Sequence, residues 1–312
     1  MSATYGSDIS LRSPSMFSGS MVAIVTPMTA DGGLDWPAWD RLLDFHVREG
    51  TDGIVVAGTT GESPVLSAGE IEELTGRAVA RCRGKTLVVV GAGTHSTATT
   101  VERTRSLSRL GVDAVLLVTP YYNKPPQEGL YRHFMAAADA SHVPIILYNV
   151  PGRTAVDLLP ITVGRLARNP RIVSIKEATG LLSRASEILD VCPPEFTVLS
   201  GDDGTAIDLM SVGARGVISV SANVAPRRMR EACQAALSGD MTMARAIDDS
   251  LRPLHKELFV EANPIPAKWA VARMGLIGNA IRLPLVELST AHQDGVLRAM
   301  RTAGVTLEDQ AA

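Results

Sequence analysis

The chain has 312 residues, 46% hydrophobic and 20% charged, with a formal net charge of −3. That length suits two ordinary domains or one α/β barrel with an appendage, and the weak net charge without a basic stripe leaves no nucleic-acid footprint. No apolar run approaches the ~18 residues of a membrane span. The three scattered cysteines, Cys82, Cys192 and Cys233, have the look of free thiols in a reducing, cytoplasmic compartment.

Residues 1–18 are polar, with Arg12 their only basic group, and read as a disordered lead-in, not a signal peptide. Eight short apolar runs follow: MVAIVTP from Met21, GIVVAGTTG from Gly53, TLVVVGAGT from Thr86, AVLLVTPYY from Ala114, PIILYNVPGR from Pro144, RIVSIKEATG from Arg171, FTVLSGDDG from Phe196 and GVISVSANV from Gly216. Each is nearly continuous in apolar residues, as strands buried on both faces should be. Amphipathic stretches separate them. The first offers Asp35 as an N-cap, Pro37 in the first turn and Gly50 at the stop, and the second has Ser67 and Glu70 at the spacing of a capping box. Eight alternating βα units predict a closed (βα)8 TIM barrel over residues 19–239. From about Asp240 the strand pattern ends. Three helical stretches, broken at Pro264 and Pro284, predict a C-terminal helical appendage over residues 240–312.

In such barrels chemistry sits at the C-terminal ends of the strands. The polar exceptions in the strand pattern gather there: Thr59, Thr60, Gly61 and Glu62 after the second strand, Tyr121 and Tyr122 after the fourth, Tyr148 and Asn149 ending the fifth, with Arg153 beyond. Lys176 ends the sixth strand, and Gly201, Asp202 and Asp203 follow the seventh. Lys176 has two readings. It is a strand-end charge that reaches solvent or pairs with Glu177, or it is a buried amine acting as a nucleophile. The GTTGE turn is either an ordinary Thr/Gly turn or an anion nest for a carboxylate. Asp202 and Asp203 suit a helix cap better than a metal. GAGTHS lacks the third glycine of a dinucleotide fingerprint, no P-loop occurs, and the six histidines are isolated, so neither a metal nor an organic cofactor is expected.

The segments GTTGESP, VTPYYNKPPQEGLY, YNVPGRT, SIKEATG, SGDD, GVISVSANV and EANPIPAKWA closely resemble those of the dihydrodipicolinate synthase family, within the pyruvate-dependent class I aldolases. The likeness runs from about Gly19 to the C-terminal helices. Thr59-Thr60 and Arg153 separate it from the sialic-acid lyases, whose turn resembles Ser-Thr and which lack the arginine. The resemblance implies a Schiff base between Lys176 and pyruvate, with Tyr148 as the acid/base partner and Thr59 and Tyr122 completing a hydroxyl relay. It implies that Tyr122 reaches into a neighbouring subunit's site, within a homotetramer. It further implies that Thr60 holds the pyruvate carboxylate, Arg153 the carboxylate of aspartate semialdehyde, and Gly201 and Ile218 line the pocket through their backbones. No cofactor is implied.

Feedback-sensitive relatives bind lysine on the stretches that here carry Ser63, Pro64, Ala68, Ile71, His95, Thr99 and Tyr121. Ala68, Ile71 and Thr99 lack the polar groups typical there, so weak inhibition by L-lysine is expected. Two alternatives stay open from the sequence: a sister aldolase acting on a sugar acid, and a non-catalytic barrel that binds a keto acid.

Overall fold

The structure is a computed structural model, and it describes residues 16–307. Eight parallel strands close into a barrel in simple sequential order: β1 (Gly19–Ala23), β2 (Gly53–Val56), β3 (Leu87–Gly91), β4 (Ala114–Val118), β5 (Ile145–Asn149), β6 (Ile172–Glu177), β7 (Thr197–Ser200) and β8 (Gly216–Ser219). Each strand has two buried faces because its side chains alternate. Val22, Ile54, Val88, Val115, Leu147, Ile175, Val198 and Val217 point outward into the large core shared with the helices. Met21, Val55, Val89, Leu116, Ile146, Leu199 and Ile218 point inward and fill the barrel, joined by Phe17 from just before β1. The near-continuous apolar runs in the sequence are thus two separate cores read in one line.

The barrel closes where β8 pairs with β1, Gly216 opposite Gly19. A Cβ on Gly216 would lie 2.1 Å from the Gly19 carbonyl oxygen, so only glycine allows the two backbones to meet there.

Helices α1 (Trp36–Glu49), α2 (Ala68–Cys82), α3 (Thr97–Leu107), α4 (Gln127–Ala140), α5 (Pro151–Thr154), α6 (Pro160–Leu166), α7 (Leu182–Val191), α8 (Ala206–Ser211) and α9 (Pro226–Leu237) surround the strands. The Asp35 carboxylate accepts the Ala38 N–H at 3.0 Å to cap α1, and Gly50 ends it in the left-handed conformation. The Ser67/Glu70 capping box on α2 is complete. Past β8 the chain adds α10 (Met241–Glu257), capped by Asp240, then α11 (Ile265–Arg273) and α12 (Thr290–Thr302). The expected disordered lead-in falls mainly on residues 1–15, outside the described residues.

Candidate active site

Tyr148 and Lys176 are register partners across the β5–β6 ladder, so their side chains leave the same face of the sheet. That face is the barrel interior. Tyr148 packs with the inner apolar cluster, and Lys176 Nζ lies 4.3 Å from the centroid of its ring. Each residue is 6% exposed. No carboxylate pairs with the ammonium among the described residues. Gly201 makes room for it, since a Cβ there would sit 3.0 Å from Lys176 Cε and 2.6 Å from Ala178 Cβ. Ile218, 1% exposed on β8, belongs to the same inner cluster. Lys176, Tyr148, Gly201 and Ile218 therefore meet inside one apolar well.

The neighbouring charge, Glu177, points the other way. Its Oε2 accepts from Asn149 Nδ2 at 3.0 Å, and its Oε1 accepts the Thr179 N–H at 2.8 Å. Asn149 also donates to Asp157, which receives a two-pronged contact from the Arg184 guanidinium at 2.7 and 2.9 Å. Burial raises the Glu177 pKa, and the Asn149 and Thr179 hydrogen bonds oppose that shift. Lys176 and Glu177 are not a pair; the pleat sends one to the reacting side and one to a structural network.

The turn after β2 carries backbone strain. Ala57 and Glu62 both adopt positive φ, 50° and 59°. Its geometry is fixed from below and from the C-terminal helices. Thr26 Oγ1 donates to the Gly61 carbonyl at 2.7 Å, and Asn263 Nδ2 donates to Thr60 Oγ1 at 2.9 Å. Glu62 is buried and forms an ion pair with Lys268 of α11, itself buried. Desolvation lowers the Lys268 pKa, against the pull of Glu62. The Arg282 backbone N–H also donates to Glu62, while its guanidinium reaches the Val65 carbonyl and Glu70. Neither the Glu62–Lys268 pair nor the Asn263 contact was anticipated from the sequence. The signal was present, because Lys268 interrupts an apolar helical run just as Lys176 interrupts an apolar strand.

The end of β8 is held in a similar way. Asp203 Oδ2 accepts the Val220 and Ser221 N–H groups at 2.9 and 3.0 Å, and Ser221 Oγ contacts His255 Nδ1 at 2.8 Å. Asp202 caps the turn that follows β7. Both aspartates are therefore structural acceptors, as their position suggests.

Beside this well a 430 Å³ cavity opens at the strand ends, with Thr59, Arg153, His95 and Tyr121 in its wall. Lys176 and Tyr148 do not line it. Val118 and Val150 do, and both also pack with the inner cluster that holds Tyr148, so the cavity adjoins the lysine well. Thr60 is buried and does not line this cavity. Arg153 sits in the single helical turn α5 instead of a loop. Tyr122 is not brought to the site by its own chain: it is 90% exposed, with a φ of 76° that a bulky side chain rarely adopts. A further cavity of 450 Å³ lies just after β7, by Asp202, Asp203 and His255, and two more lie away from the strand ends. One of 470 Å³ sits at the opposite rim by Asp52 and Lys85, and one of 600 Å³ lies among α1, α9 and the C-terminal segment. Among the described residues no group of three or more His, Cys, Asp or Glu side chains is placed to hold a metal, and no helix is long and apolar enough to cross a membrane.

Comparison with known proteins bears on the whole chain. Residues 16–303 match the family model described as the dihydrodipicolinate synthetase family. The 4-hydroxy-tetrahydrodipicolinate synthase of Stutzerimonas stutzeri is 56% identical over 290 residues, which cover 93% of this chain and 99% of that protein. Among solved structures, the chloride-inhibited dihydrodipicolinate synthase of Acinetobacter baumannii, complexed with pyruvate, is 46% identical with a TM-score of 0.91, covering 93% of this chain and 99% of that one. The enzyme of Cyanidioschyzon merolae, with lysine bound, is 37% identical with a TM-score of 0.90, covering 93% and 99%.

Proposed function

Because the chain belongs to the dihydrodipicolinate synthetase family, we propose that it condenses pyruvate with L-aspartate 4-semialdehyde through a Schiff base on Lys176, a step of lysine and diaminopimelate synthesis. The observation that carries this reading is the buried Lys176 amine beside the Tyr148 ring, in a well that Gly201 leaves open. The neutral amine of a lysine is a nucleophile toward a ketone carbon. The amine adds to the pyruvate ketone and water leaves, giving an iminium. That electron sink lets the methyl group lose a proton to form an enamine, which adds to the aldehyde carbon. The acceptor's own amine then displaces Lys176 as the ring closes.

Tyr148, beside the amine, moves protons during carbinolamine formation and breakdown in this reading. The turn at Thr59–Glu62 supplies the pyruvate carboxylate site, with Thr60 its central residue. Arg153, on the cavity wall, takes the carboxylate of the acceptor by the two-pronged contact that a guanidinium makes. Gly201 and Ile218 bound the well. No cofactor enters this scheme.

Tyr122 completes the hydroxyl relay with Thr59 from a second subunit. Its exposure and its strained backbone support that role, since strain is retained where surroundings or function require it. The assembly is then a homotetramer of cytoplasmic enzyme, built from dimers that exchange this tyrosine.

Two measurements test the proposal. Borohydride reduction in the presence of pyruvate should leave a mass-tagged adduct at Lys176, absent in Lys176→Ala, and turnover should be far faster with aspartate semialdehyde than with N-acetylmannosamine. An unmodified Lys176 would end the Schiff-base reading. For the relay, coexpressed Lys176→Ala and Tyr122→Phe chains should recover activity that neither shows alone, because a mixed dimer contains one intact site. Full activity in Tyr122→Phe alone would place Tyr122 outside the reaction, and failure to recover any in the mixture would end its role across subunits.

A further inference from the structure

Thr60, assigned to the pyruvate carboxylate, is 2% exposed, and among the described residues its hydroxyl hydrogen-bonds to one side chain, that of Asn263. Asn263 Nδ2 donates to Thr60 Oγ1 at 2.9 Å, across 203 positions of sequence. A hydroxyl carries one proton and two lone pairs. The Asn263 contact takes a lone pair and leaves the proton, which reaches no acceptor among the described residues. A buried hydroxyl proton in that state calls for an acceptor from outside the fold. The direction of the contact matters. Asn263 is 5% exposed, and its Oδ1 has no partner; had the amide faced Thr60 with that oxygen, it would have taken the Thr60 proton and left the hydroxyl nothing to give.

We propose that Asn263 is a positioning residue for pyruvate: its amide occupies a lone pair of Thr60 Oγ1 and so leaves the Thr60 proton to the substrate carboxylate. This rests on the assignment of Thr60 to that carboxylate. An ionised oxygen is the acceptor that the arrangement suits. A hydrogen bond to a charged group is about twice as strong as a neutral one, and a hydroxyl that already accepts one hydrogen bond is polarised to donate another. Asn263 stands two residues before α11, and the start of that helix is tied to the same turn. The Lys268 N–H donates to the Pro264 carbonyl at 2.8 Å, and Lys268 Nζ pairs with Glu62. The C-terminal helices thus reach the substrate through one amide, in addition to shaping the turn that carries Thr60.

The test is a cycle of variants read in steady-state kinetics with pyruvate and aspartate semialdehyde. Asn263→Ala should raise the KM for pyruvate at least tenfold, as the loss of one hydrogen bond to a charged acceptor does. Both kcat and the KM for aspartate semialdehyde should change less than about threefold. Asn263→Asp is nearly isosteric and should raise the pyruvate KM further than the alanine does, because its carboxylate takes the Thr60 proton and sets a like charge near the substrate. Thr60→Val should also raise that KM at least tenfold. Adding Asn263→Ala to Thr60→Val should then raise it less than about twofold more, since no hydroxyl is left to orient. A role in support of the turn alone would cost the same in either background. The proposal is overturned by an unchanged KM in Asn263→Ala, by a loss that persists in full beside Thr60→Val, or by an aspartate variant that binds pyruvate better than the alanine. Borohydride trapping at graded pyruvate separates this role from the Schiff base. An absent adduct in the native enzyme ends the Schiff-base reading, whereas a native adduct whose half-saturating pyruvate concentration is the same in both Asn263 variants ends only the role of Asn263.

Discussion

At Gly201 the missing side chain is the functional feature. An alanine Cβ would sit 2.6 Å from Ala178 Cβ and 3.0 Å from Lys176 Cε, distances that require the lysine to move. Backbone conformation does not forbid the change, but the Ala178 Cβ is fixed to its backbone, so the penalty falls on the fold as well as on the lysine's position. Gly201→Ala should therefore lower kcat by at least tenfold, since an amine shifted by about 1 Å loses its line of attack. Thermal melting should fall too, by the equivalent of about 1–3 kcal/mol, because the Ala178 contact relaxes only if backbone moves. If the variant melts many degrees lower, with its trapping rate at Lys176 unchanged, the glycine serves stability instead. Lys176 was legible in the sequence as a charge inside an apolar strand, and Tyr148 as a polar group at a strand end. Gly201 was legible only through the family resemblance, because a residue that acts by what it lacks leaves no mark of charge or pattern.

The element that most controls the site's shape is α11, which does not touch the reacting groups. It carries Lys268 to Glu62 at the end of the strained turn, while Asn263 just before it holds Thr60. The buried pair cost desolvation to form, yet removing one partner strands the other charge. Lys268→Met should destabilise the protein by about 3–5 kcal/mol, read from urea unfolding. The double variant Glu62→Gln with Lys268→Met should recover most of that loss. Recovery of stability without recovery of pyruvate affinity is expected as well, because the ion pair fixes where the turn sits. If the double variant is no more stable than the single one, the loss is one of packing and not of charge. This coupling shows why the barrel was easier to read than its support. Each βα unit announces itself within some thirty residues, whereas the Glu62–Lys268 contact spans 206 positions: Lys268 stands out in its apolar helix, but nothing local names its partner.

Taken over the whole molecule, the histidines set opposite limits on stability. His46 is fully buried, its Nε2 has no hydrogen-bond partner, and burial lowers its pKa to about 3. His133 is similar, lowered by burial to about 4. In the unfolded chain both would take up a proton near pH 6.5 while the folded protein refuses it. Their contribution is complete above that pH and is lost as pH falls below it. His255 runs the other way. Burial disfavours its charge, but Asp248, helped by Asp203 and Asp202, outweighs that and raises its pKa. Its contribution is complete below pH 6.5 and is lost as pH rises through its folded value. The three together place maximum stability close to pH 6.5. Each unit below that pH should cost about 1.4 kcal/mol for every histidine kept neutral, so the histidine share of the unfolding free energy should drop by roughly 3–4 kcal/mol between pH 6.5 and 5. The Glu70 carboxylate, held near pKa 2 chiefly by its hydrogen bond from Arg282, begins to lose its contribution only below about pH 4.5. Between pH 6.5 and 5, Glu177 and Asp52, whose pKa values burial raises, oppose the histidines as pH falls, so the histidine share is read from the variant's difference and not from the native slope alone. His133→Gln should remove about half of that share, measured by urea unfolding at fixed ionic strength. A variant slope equal to the native one across that interval would mean that the His133 ring gains its proton in the folded state, and the buried neutral assignment would be wrong.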